Sequence, residues 1–322
     1  MVDIAIVGAG PVGLAAACEA KKLGLSHVVF DRGPVANTIL RFPRDMVFFS
    51  EARNIEIAGH PLVSSGPKPT RREALVYFQK VAEREALNVK PYTEVVGISG
   101  SEGGFRIHTR NRRGEHQVPA RAVVVATGYF DCPNRLGVPG EDLPHVHHRY
   151  EEAARYFGCQ VTVVGGSNSA VEAALDLYRA GARVTLVHRG TTLRPGVKYW
   201  LAPDFENRVR EGSVGALFET TVKAFTPEGL RLLHRGQEVF LEADFVLVLI
   251  GFRANDALLR QAGVAFDGER PVLSPELETS IPGLFAVGSC AYGADTRTVF
   301  IENGREEAKR AVTAVARKLG KL

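Results

Sequence analysis

Hydrophobic residues along the chain occur in short β-branched runs, and two of these runs lead directly into a glycine-rich turn and a helical stretch. In the first copy the strand, turn, helix and next strand occupy residues 4–7, 8–13, 14–23 and 27–30. In the second copy the same four features occupy residues 161–164, 165–170, 171–179 and 183–187. A strand, a glycine turn and a helix in succession, found twice, predict an α/β chain with two similar units.

The other hydrophobic runs predict that the second unit is inserted in the first. Residues 122–126 and 245–250 have the composition of buried strands, and they are followed by Thr127-Gly128 and Gly251. Residues 283–289 predict a last strand, and residues 302–319 predict a closing helix. We therefore expect residues 1–131 and 250–322 to form one discontinuous domain, and residues 132–249 to form the domain inserted in it.

Length and composition are typical of a packed enzyme. The 322 residues suggest two domains at roughly 150 residues each, and 45% hydrophobic with 24% charged residues is ordinary for a globular protein. A net charge of +4 is too small to indicate a nucleic-acid partner. The longest apolar run, 245–252, is far shorter than the about 18 residues that cross a bilayer. We expect a cytoplasmic protein without a signal peptide or membrane segment.

The first glycine turn has the spacing of a dinucleotide-binding site. Gly8 permits a tight turn, Gly10 lets a pyrophosphate approach the backbone, and Gly13 lets the helix pack closely on the strand. The phosphates then lie at the positive end of the helix. Asp31 follows the next strand, 18 residues after Gly13, at the distance of an acid that hydrogen-bonds an adenosine ribose. These features predict a Rossmann-like nucleotide-binding unit.

The second glycine turn repeats this spacing with the opposite charge. Its residues are Gly165, Gly166, Ser167, Asn168, Ser169 and Ala170. His188 and Arg189 stand where the first copy carries its acid, and Arg194 follows. An acid at this corner would repel the 2′-phosphate of NADP, whereas cationic side chains donate hydrogen bonds to it. We therefore assign FAD to the first unit and NADPH to the second.

The order of these motifs resembles that of the low-molecular-weight thioredoxin reductases over nearly the whole chain. Within that class, residues 126–131, 137–146, 197–200 and 300–303 are similar to the bacillithiol disulfide reductases of the YpdA type. The resemblance implies two Rossmann-like, three-layer domains, with the NADPH domain inserted in the FAD domain. It also implies that NADPH passes a hydride to flavin N5 and that the reduced flavin reduces a disulfide, expected to be oxidised bacillithiol.

The resemblance also implies which residues contact each cofactor. For FAD they are Gly8, Gly10, Pro11, Val12, Gly13, Asp31, Asn37, Ser50, Thr127, Gly128, Gly288, Ser289, Ile301 and Glu302. The first amides of the closing helix would direct its dipole at the flavin N1–C2=O edge and favour the reduced, anionic ring. For NADPH they are Gly165, Gly166, Ser167, Asn168, Ser169, His188, Arg189, Arg194 and Gly251.

Two departures from the family pattern concern the disulfide chemistry. Thioredoxin reductases carry a Cys-x-x-Cys pair before the second glycine turn, whereas this chain has residues 147–151 there, without a cysteine. Bacillithiol-linked relatives commonly carry a cysteine within the first glycine turn, where this chain has Val12. Either the flavin reduces the disulfide directly, or Cys132 or Cys290 serves as the thiol. The alternative for both cysteines is that they only fill buried space.

Other departures concern the cofactor contacts and metals. Ser289 stands where thioredoxin reductases have an aspartate bonded to the ribityl chain, and Gly190 replaces one arginine of the 2′-phosphate pattern. The four cysteines stand singly, so neither a disulfide framework nor a metal site is expected. We interpret the loop histidines His145, His147 and His148 as polar lining of an interdomain cleft rather than as metal ligands or an acid–base group. Residues 198–200 contact either a substrate or nicotinamide, or cover an interdomain or dimer surface.

Three functions fit these residues. The first is an NADPH-dependent reductase of a low-molecular-weight disulfide. The second is a ferredoxin or flavodoxin NADP reductase of the thioredoxin reductase-like type, which needs no cysteine and so accords with Val12. The third is a flavoprotein sensor without an efficient acceptor, whereas a flavin monooxygenase is disfavoured because residues 140–145 match that class only loosely. The partner is then a small disulfide or a small electron-transfer protein, and we expect a homodimer or higher homo-oligomer.

Overall fold

A computed structural model describes residues 1–294 and 299–322 of the chain. The chain divides into two compact units. The first unit comprises residues 1–132 and 252–322, and the second unit comprises residues 133–251. Within the described residues, every helix is too short or too polar to cross a lipid bilayer.

The first unit combines parallel strands, an antiparallel meander and helices. Its strands are β1 (Val2–Val7), β2 (His27–Phe30), β3 (Val89–Lys90), β4 (Glu94–Ser99), β5 (Phe105–Asn111), β6 (Gly114–Val125), β15 (Phe266–Asp267), β16 (Arg270–Pro271) and β17 (Leu284–Ala286). Its helices are α1 (Pro11–Lys22), α2 (Asn37–Leu40), α3 (Arg71–Arg84), α6 (Ala257–Gln261) and α7 (Ile301–Lys318). Short 3₁₀ helices span Ala52–Asn54 and Gly288–Ala291.

The long strand β6 joins two sheet regions of the first unit. Its C-terminal half lies between β1 and β17 in a parallel sheet of order β3-β2-β1-β6-β17. Its N-terminal half pairs antiparallel with β5, and β5 pairs antiparallel with β4. Because both faces of the parallel sheet are covered, β1 is hydrophobic without interruption from Ile4 to Val7. Ile4 and Ile6 join one hydrophobic core and Ala5 and Val7 the other.

These two cores make the first unit three layers thick. One core contains buried residues of α1, α3 and α7, so helices cover that face of the parallel sheet. The other core contains residues of β4 and β5 together with Leu259 of α6, so the meander covers the opposite face. Helix α7 has alternating buried and exposed positions and packs beside α1.

The second unit has the same arrangement on a smaller scale. Its strands are β7 (Val146–His147), β8 (Gln160–Val164), β9 (Arg183–Val187), β10 (Gly215–Leu217), β11 (Thr220–Thr226), β12 (Gly229–His234), β13 (Gln237–Glu242) and β14 (Phe245–Val248). Its helices are α4 (Asn168–Arg179) and α5 (Ala202–Arg210), with a 3₁₀ helix at Ala153–Tyr156. The parallel sheet has the order β10-β9-β8-β14-β7, and β11, β12 and β13 form an antiparallel sheet. Helices α4 and α5 contribute to one core, and β11 and β12 contribute to the other.

The α/β class and the two Rossmann-like, three-layer units are confirmed, but several predicted segments need correction. The strand predicted at 245–250 ends at Val248. The strand predicted at 283–289 is confined to Leu284–Ala286, because the backbone turns into a 3₁₀ helix at Gly288. The histidines placed in a loop lie partly in a strand, since Val146–His147 pairs with β14. A 3₁₀ helix at Ala153–Tyr156 follows them.

Candidate functional site

The first glycine turn is shaped by contacts that tolerate no side chain at two positions. Gly8 has a φ of +111°, and a Cβ there would overlap the carbonyl oxygen of Ala126. A Cβ at Gly13 would overlap the carbonyl oxygen of Gly8, so α1 packs directly on the strand end. Sequence reasoning assigned these two glycines to the tight turn and to close packing, and the backbone gives both the geometry expected of those roles.

Gly10 faces open space at the N-terminus of α1. Among the described residues, no atom lies within 4 Å of a Cβ built at Gly10. Helix α1 begins at Pro11, and within the described residues no side chain caps its first amides. Open space next to uncapped helix amides fits an anionic group such as a pyrophosphate.

Asp31 holds the glycine turn against the end of β2. One carboxylate oxygen accepts a hydrogen bond from the amide of Ala9 at 2.8 Å, and the other accepts from the amide of Gly33 at 2.8 Å. Burial raises the pKa of Asp31, and these two amide bonds oppose that rise. The acid therefore lies beside the turn, as a ribose-binding residue would.

Asn37 and the loop after β2 lie against the same turn. The amide of Ala36 donates to the carbonyl of Ala9 at 2.9 Å, and Asn37 begins α2. A Cβ at Gly33 would lie 2.6 Å from the side-chain oxygen of Asn37, so the Asn37 amide packs directly on that loop. The predicted FAD residues Asp31 and Asn37 are thus brought together around Gly33.

A second group of predicted FAD residues meets at the start of α7. The hydroxyl of Ser50 donates to the carboxylate of Glu302. Ile301 and Glu302 are the first two residues of the helix, and the amide of Phe300 donates to the side chain of Asn303 at 2.7 Å. A positive helix end is therefore present where the flavin ring edge was predicted.

Thr127 and Gly128 are held by one returning segment of the first unit. The hydroxyl of Thr127 donates to the carbonyl of Asn255 at 2.8 Å. The amide of Asn255 donates to the carbonyl of Gly128 at 3.0 Å. These two residues follow β6, whose neighbour β1 leads into the glycine turn. They therefore lie at the same end of the sheet as that turn.

Sequence reasoning missed Glu307, a buried acid of α7 that supports the turn at Gly288. Its carboxylate accepts from the amide of Gly288 at 2.8 Å and from the hydroxyl of Tyr292. Glu307 is only 4% exposed. The available signal was helical periodicity, because Glu307 lies on the buried stripe of α7 with Ala308 and Ala311.

Val12 fills the place in the first turn where bacillithiol-linked relatives were expected to have a cysteine. Its side chain packs between two glycines of other segments. A Cβ at Gly304 would lie 2.6 Å from Val12 Cγ2, and a Cβ at Gly288 would lie 3.2 Å from the same atom. The side chain at position 12 therefore points toward α7 and the Gly288 turn.

The two candidate cysteines have environments that disfavour a thiolate. Burial raises the pKa of Cys290, whose side chain has no exposed surface. Its sulfur donates to the carbonyls of Val125 and Val287 at 3.3 and 3.2 Å. Burial and the Asp131 carboxylate raise the pKa of Cys132, which is half-buried. Because the thiolate is the nucleophile, neither group has the lowered pKa of a reactive cysteine.

The second glycine turn has the same backbone form as the first. Gly165 has a φ of +152°, and a Cβ there would lie 2.5 Å from the carbonyl oxygen of Leu249 and 2.8 Å from Ala170 Cβ. Helix α4 begins at Asn168, and within the described residues no side chain caps its first amides. Ser167 and Ser169 are exposed on either side of that start. This helix end is likewise suited to an anion.

His188 packs over the second turn, in surroundings that favour the neutral form of its imidazole. A Cβ at Gly166 would lie 2.5 Å from His188 Nδ1, and a Cβ at Gly190 would lie 2.8 Å from His188 Nε2. Burial lowers the pKa of His188, and the nearby Arg189 and Arg194 lower it further. The predicted role of His188 as a cationic donor to a 2′-phosphate stays a prediction, and in its neutral form the imidazole would donate at most one hydrogen bond. Because a Cβ at position 190 would approach the ring this closely, Gly190 fits there without a shift of His188.

Arg189 and Arg194 are both exposed beside this neutral ring. The amide of Arg194 donates to the carbonyl of Gly166 at 2.8 Å, which brings Arg194 to the glycine turn. Gly251 is the last residue of the second unit, and its carbonyl accepts from the amide of Asn134 at 3.0 Å. The contact of Gly251 with NADPH stays a prediction.

The remaining candidate residues of the second unit form separate groups. Burial lowers the pKa of both His147 and His148, and His148 Nε2 lies 3.7 Å from the buried carboxylate of Glu141. In the described part of the chain, no three His, Cys, Asp or Glu side chains are grouped as metal ligands. Tyr199 and Trp200 form an edge-to-face pair, with ring centroids 4.9 Å apart. Tyr199 is 83% exposed, so its predicted contact stays open.

Comparison with known proteins gives concordant matches over the chain. Residues 5–288 match a family model described as pyridine nucleotide-disulphide oxidoreductase. The chain is similar to Bacilliredoxin reductase Bdr of Bacillus subtilis (strain 168), at 35% identity over 97% of both chains. It is similar to a Ferredoxin–NADP reductase of Ignicoccus hospitalis, at 29% identity over 89% of this chain and 90% of the relative. The solved Bacillithiol Disulfide Reductase Bdr (YpdA) from Bacillus cereus superposes with a TM-score of 0.95, at 35% identity over 98% of this chain and 99% of that one.

Proposed function

Because this chain belongs to the pyridine nucleotide-disulphide oxidoreductase family, we propose that it is an NADPH-dependent, FAD-containing reductase of bacillithiol disulfide. Family membership makes the chain an oxidoreductase that uses a flavin and a pyridine nucleotide. The proposal adds which nucleotide occupies each unit and which molecule receives the electrons.

Three features of the first unit support FAD. Open space at Gly10 adjoins the uncapped amides of α1, which suit a pyrophosphate. Asp31 lies beside the same turn with a carboxylate for a ribose. The start of α7, with Ile301 and Glu302, supplies the positive end that would stabilise a reduced, anionic ring. The flavin would supply hydride chemistry that the amino acids cannot perform alone.

The observation that carries the proposal is the charge difference between two equivalent corners. Asp31 follows β2 in the first unit, and His188 stands at the equivalent position after β9 in the second. The next residue is an arginine in both units, but Arg32 forms an ion pair with Asp131, whereas Arg189 is followed by a second exposed arginine, Arg194. The exposed guanidinium groups of Arg189 and Arg194 suit bidentate binding of a 2′-phosphate, and neutral His188 adds one donor. The Asp31 carboxylate at the first corner would repel that phosphate. NADPH therefore belongs to the second unit.

The names of the relatives support a disulfide substrate. Two similar proteins are called a bacilliredoxin reductase and a bacillithiol disulfide reductase. In the proposed reaction, NADPH, a proton and one disulfide give NADP⁺ and two thiols, so two electrons and two hydrogens balance. With Val12 in the first turn and raised pKa values at Cys132 and Cys290, we propose that the disulfide is reduced without a protein thiol.

A ferredoxin–NADP reductase is the second candidate, and a specific observation favours it. Such an enzyme needs no thiol, and Val12 leaves none in the first turn. The ferredoxin–NADP reductase of Ignicoccus hospitalis is less similar to this chain than the bacilliredoxin reductase is, at 29% against 35% identity. The two candidates share the first half-reaction, so only the acceptor separates them.

Rapid mixing under anaerobic conditions, followed by an acceptor comparison, tests the proposal. The purified protein should be yellow, and its flavin absorbance should bleach faster with NADPH than with NADH. Turnover with oxidised bacillithiol, ferredoxin and a dye acceptor should then favour bacillithiol disulfide. Turnover with ferredoxin alone would select the second candidate, and turnover with the dye alone would select a sensor or an unknown partner.

A cysteine-free active centre gives a sharper test of the disulfide step. The variant Cys132→Ala/Cys290→Ala should keep both its reduction by NADPH and its disulfide turnover. The matched control is Cys159→Ala, since Cys159 is also half-buried but lies in the second unit. Loss of disulfide turnover in the first variant, with bleaching by NADPH unchanged, would assign a thiol to the reaction.

We also propose a homodimer or higher homo-oligomer acting in the cytoplasm. The exposed aromatic pair of Tyr199 and Trp200 supports this proposal, because a second copy of the chain could cover that apolar surface. Sedimentation velocity of the yellow protein at several concentrations tests the assembly, because a monomer at all concentrations would contradict it.

A further inference from the structure

The side chain of Asn168 holds a loop segment onto the second glycine turn. Its Nδ2 group donates to the carbonyl of Gly196 at 3.2 Å, and its Oδ1 atom accepts from the amide of Lys198 at 2.8 Å. One amide thus satisfies two backbone groups that lie two residues apart. An asparagine amide fits because it carries a donor and an acceptor side by side.

A third bond ties the same segment to the turn. The amide of Arg194 donates to the carbonyl of Gly166 at 2.8 Å, and the amide of Val197 donates back to the carbonyl of Arg194 at 3.3 Å. Gly196 has a φ of +93°, which only glycine adopts without strain. Residues 194–198 therefore form a compact turn, attached at Gly166 on one side and at Asn168 on the other.

Within the described residues of the first unit, the position equivalent to Asn168 makes no such side-chain attachment. There the loop after β2 is attached by the amide of Ala36, which donates to the carbonyl of Ala9 at 2.9 Å. This bond is equivalent to the bond from Arg194 to Gly166. The residue equivalent to Asn168, however, is Pro11, which begins α1 and has no polar side chain. The additional attachment by Asn168 is therefore a property of the second unit.

The attached segment begins with Arg194, one of the two exposed cations beside His188. A long arginine side chain loses conformational entropy when it binds a phosphate, and a mobile backbone would add to that cost. Fixing residues 194–198 in advance reduces the ordering that remains to be done when a nucleotide binds. The benefit applies only to a nucleotide that Arg194 contacts.

We infer that Asn168 is a positioning residue for coenzyme selection: by holding residues 194–198 on the second turn, it places Arg194 to bind a 2′-phosphate. The inference rests on the proposed function, because it needs the second turn to hold NADPH. The direct contact of Asn168 with NADPH that the resemblance implies is the competing role, and it would weaken binding of both nucleotides equally. A residue that acts through Arg194 should instead weaken binding of the phosphorylated nucleotide more than binding of the unphosphorylated one.

Calorimetric titration of oxidised holoenzyme with NADP⁺ and with NAD⁺ tests this inference without turnover. Asn168→Ala should weaken NADP⁺ binding by roughly tenfold, the effect of losing about one well-placed hydrogen bond to a charged group, and should change NAD⁺ binding less than about twofold. Asn168→Ser, which retains one hydrogen-bonding group, is the second variant if Asn168→Ala folds poorly. The control is Asn207→Ala, which removes an exposed asparagine of α5 in the same unit.

A double-mutant cycle separates a positioning role from direct contact. In the Arg194→Ala background, Asn168→Ala should change the ratio of NADP⁺ to NAD⁺ affinity by less than about twofold, because the residue that it positions is absent. Equal weakening of both nucleotides by Asn168→Ala would overturn the inference and make Asn168 a pyrophosphate contact. An Asn168→Ala single variant that keeps the wild-type preference for NADP⁺ over NAD⁺ would also overturn the inference. Wild-type protein that shows no preference for NADP⁺ would instead refute the proposed function.

Discussion

The two glycine turns have the same backbone but different side chains at nearly every position. Ala9 of the first turn corresponds to Gly166 of the second, and its amide donates to Asp31. In the second turn the ring of His188 covers Gly166, where a Cβ would lie 2.5 Å from Nδ1. A small acid that bonds the turn has thus been replaced by a large neutral ring that packs on it. The difference teaches that turn geometry is shared, while the corner after the second strand sets which nucleotide fits.

The sheets of the two units extend this comparison. The first unit has the order β3-β2-β1-β6-β17 and the second has β10-β9-β8-β14-β7. Each central strand therefore has a counterpart, and an antiparallel meander precedes both β14 and the parallel part of β6. The edge strand β17 is the last strand of the first unit along the chain, whereas its counterpart β7 is the first strand of the second unit. The two units thus have the same order of strands in the sheet, although the chain begins the second unit with the strand that comes last in the first unit.

The largest expected effect comes from blocking each turn separately. Gly8→Ala and Gly165→Ala each place a Cβ against a carbonyl oxygen at a φ that disfavours alanine, which should cost about 3 kcal/mol or more of local stability. Gly8→Ala should yield colourless protein. Gly165→Ala should yield yellow protein that NADPH does not bleach. Visible absorbance before and after NADPH addition measures both outcomes.

Gly10→Ala is the matched control for that pair. Among the described residues, no atom lies within 4 Å of its Cβ. The free energy of unfolding of the apoprotein should therefore stay within about 1 kcal/mol of the wild-type value. Flavin should nevertheless be lost, because the new methyl group occupies the space proposed for the pyrophosphate. A yellow Gly10→Ala protein would contradict that placement.

The next effect concerns the charged corner of the second unit. Arg189→Ala and Arg194→Ala should each remove a charge-assisted hydrogen bond worth about 1.5–3 kcal/mol, so the double variant should lose its preference for NADPH over NADH. Rapid-mixing measurements of flavin bleaching give the apparent affinity for each nucleotide. Arg183→Ala, an exposed arginine at the start of β9, is the control. A preference that survives the double substitution would refute the 2′-phosphate assignment.

Local signals predicted the turns well, whereas contact-dependent features were missed. The β-branched runs and glycine spacing indicated β1, α1 and β2, since those signals lie within a few residues. The lowered pKa of His188 could not be predicted, because it depends on burial and on two cations brought close by folding. A turn at Gly114 between two strand-like runs indicated the hairpin of β5 and β6. The complete meanders could not be predicted, because residues of β4 and β12 are buried by the parallel sheets that they pack against.

A smaller effect would sharpen the contrast between Val12 and its counterpart Ser169. Val12 packs on Gly304 of α7, whereas Ser169 is exposed. Gly304→Ala alone should lower the free energy of unfolding by about 1–3 kcal/mol through overpacking. In a Val12→Ala background, Gly304→Ala should raise the free energy of unfolding, because alanine is more stable than glycine in a helix interior by roughly 1 kcal/mol. Urea unfolding of the four apoproteins checks this change of sign, and additive effects would contradict the contact.

The smallest effect concerns the helices that begin at the two turns. Ala15 of α1 is buried, and the equivalent residue of α4 is Glu172. Burial, with help from the Asp176 carboxylate, raises the pKa of Glu172 from 4.5 to about 7. Between these two values the folded protein holds more protons than the unfolded chain, so its free energy of unfolding falls as pH rises.

Replacing this carboxyl group should therefore flatten the pH dependence. Glu172→Gln should match wild type near pH 4.5 and exceed its free energy of unfolding by about 1–2 kcal/mol above pH 7, a value reduced for solvent screening of a partly exposed group. Glu206→Gln, which alters an exposed carboxylate of α5, should show no such crossover. Urea unfolding of the apoproteins at several pH values provides the comparison. Parallel curves for wild type and Glu172→Gln would mean that Glu172 ionises as freely in the fold as in the unfolded chain, and that the two helices differ at this position in shape alone.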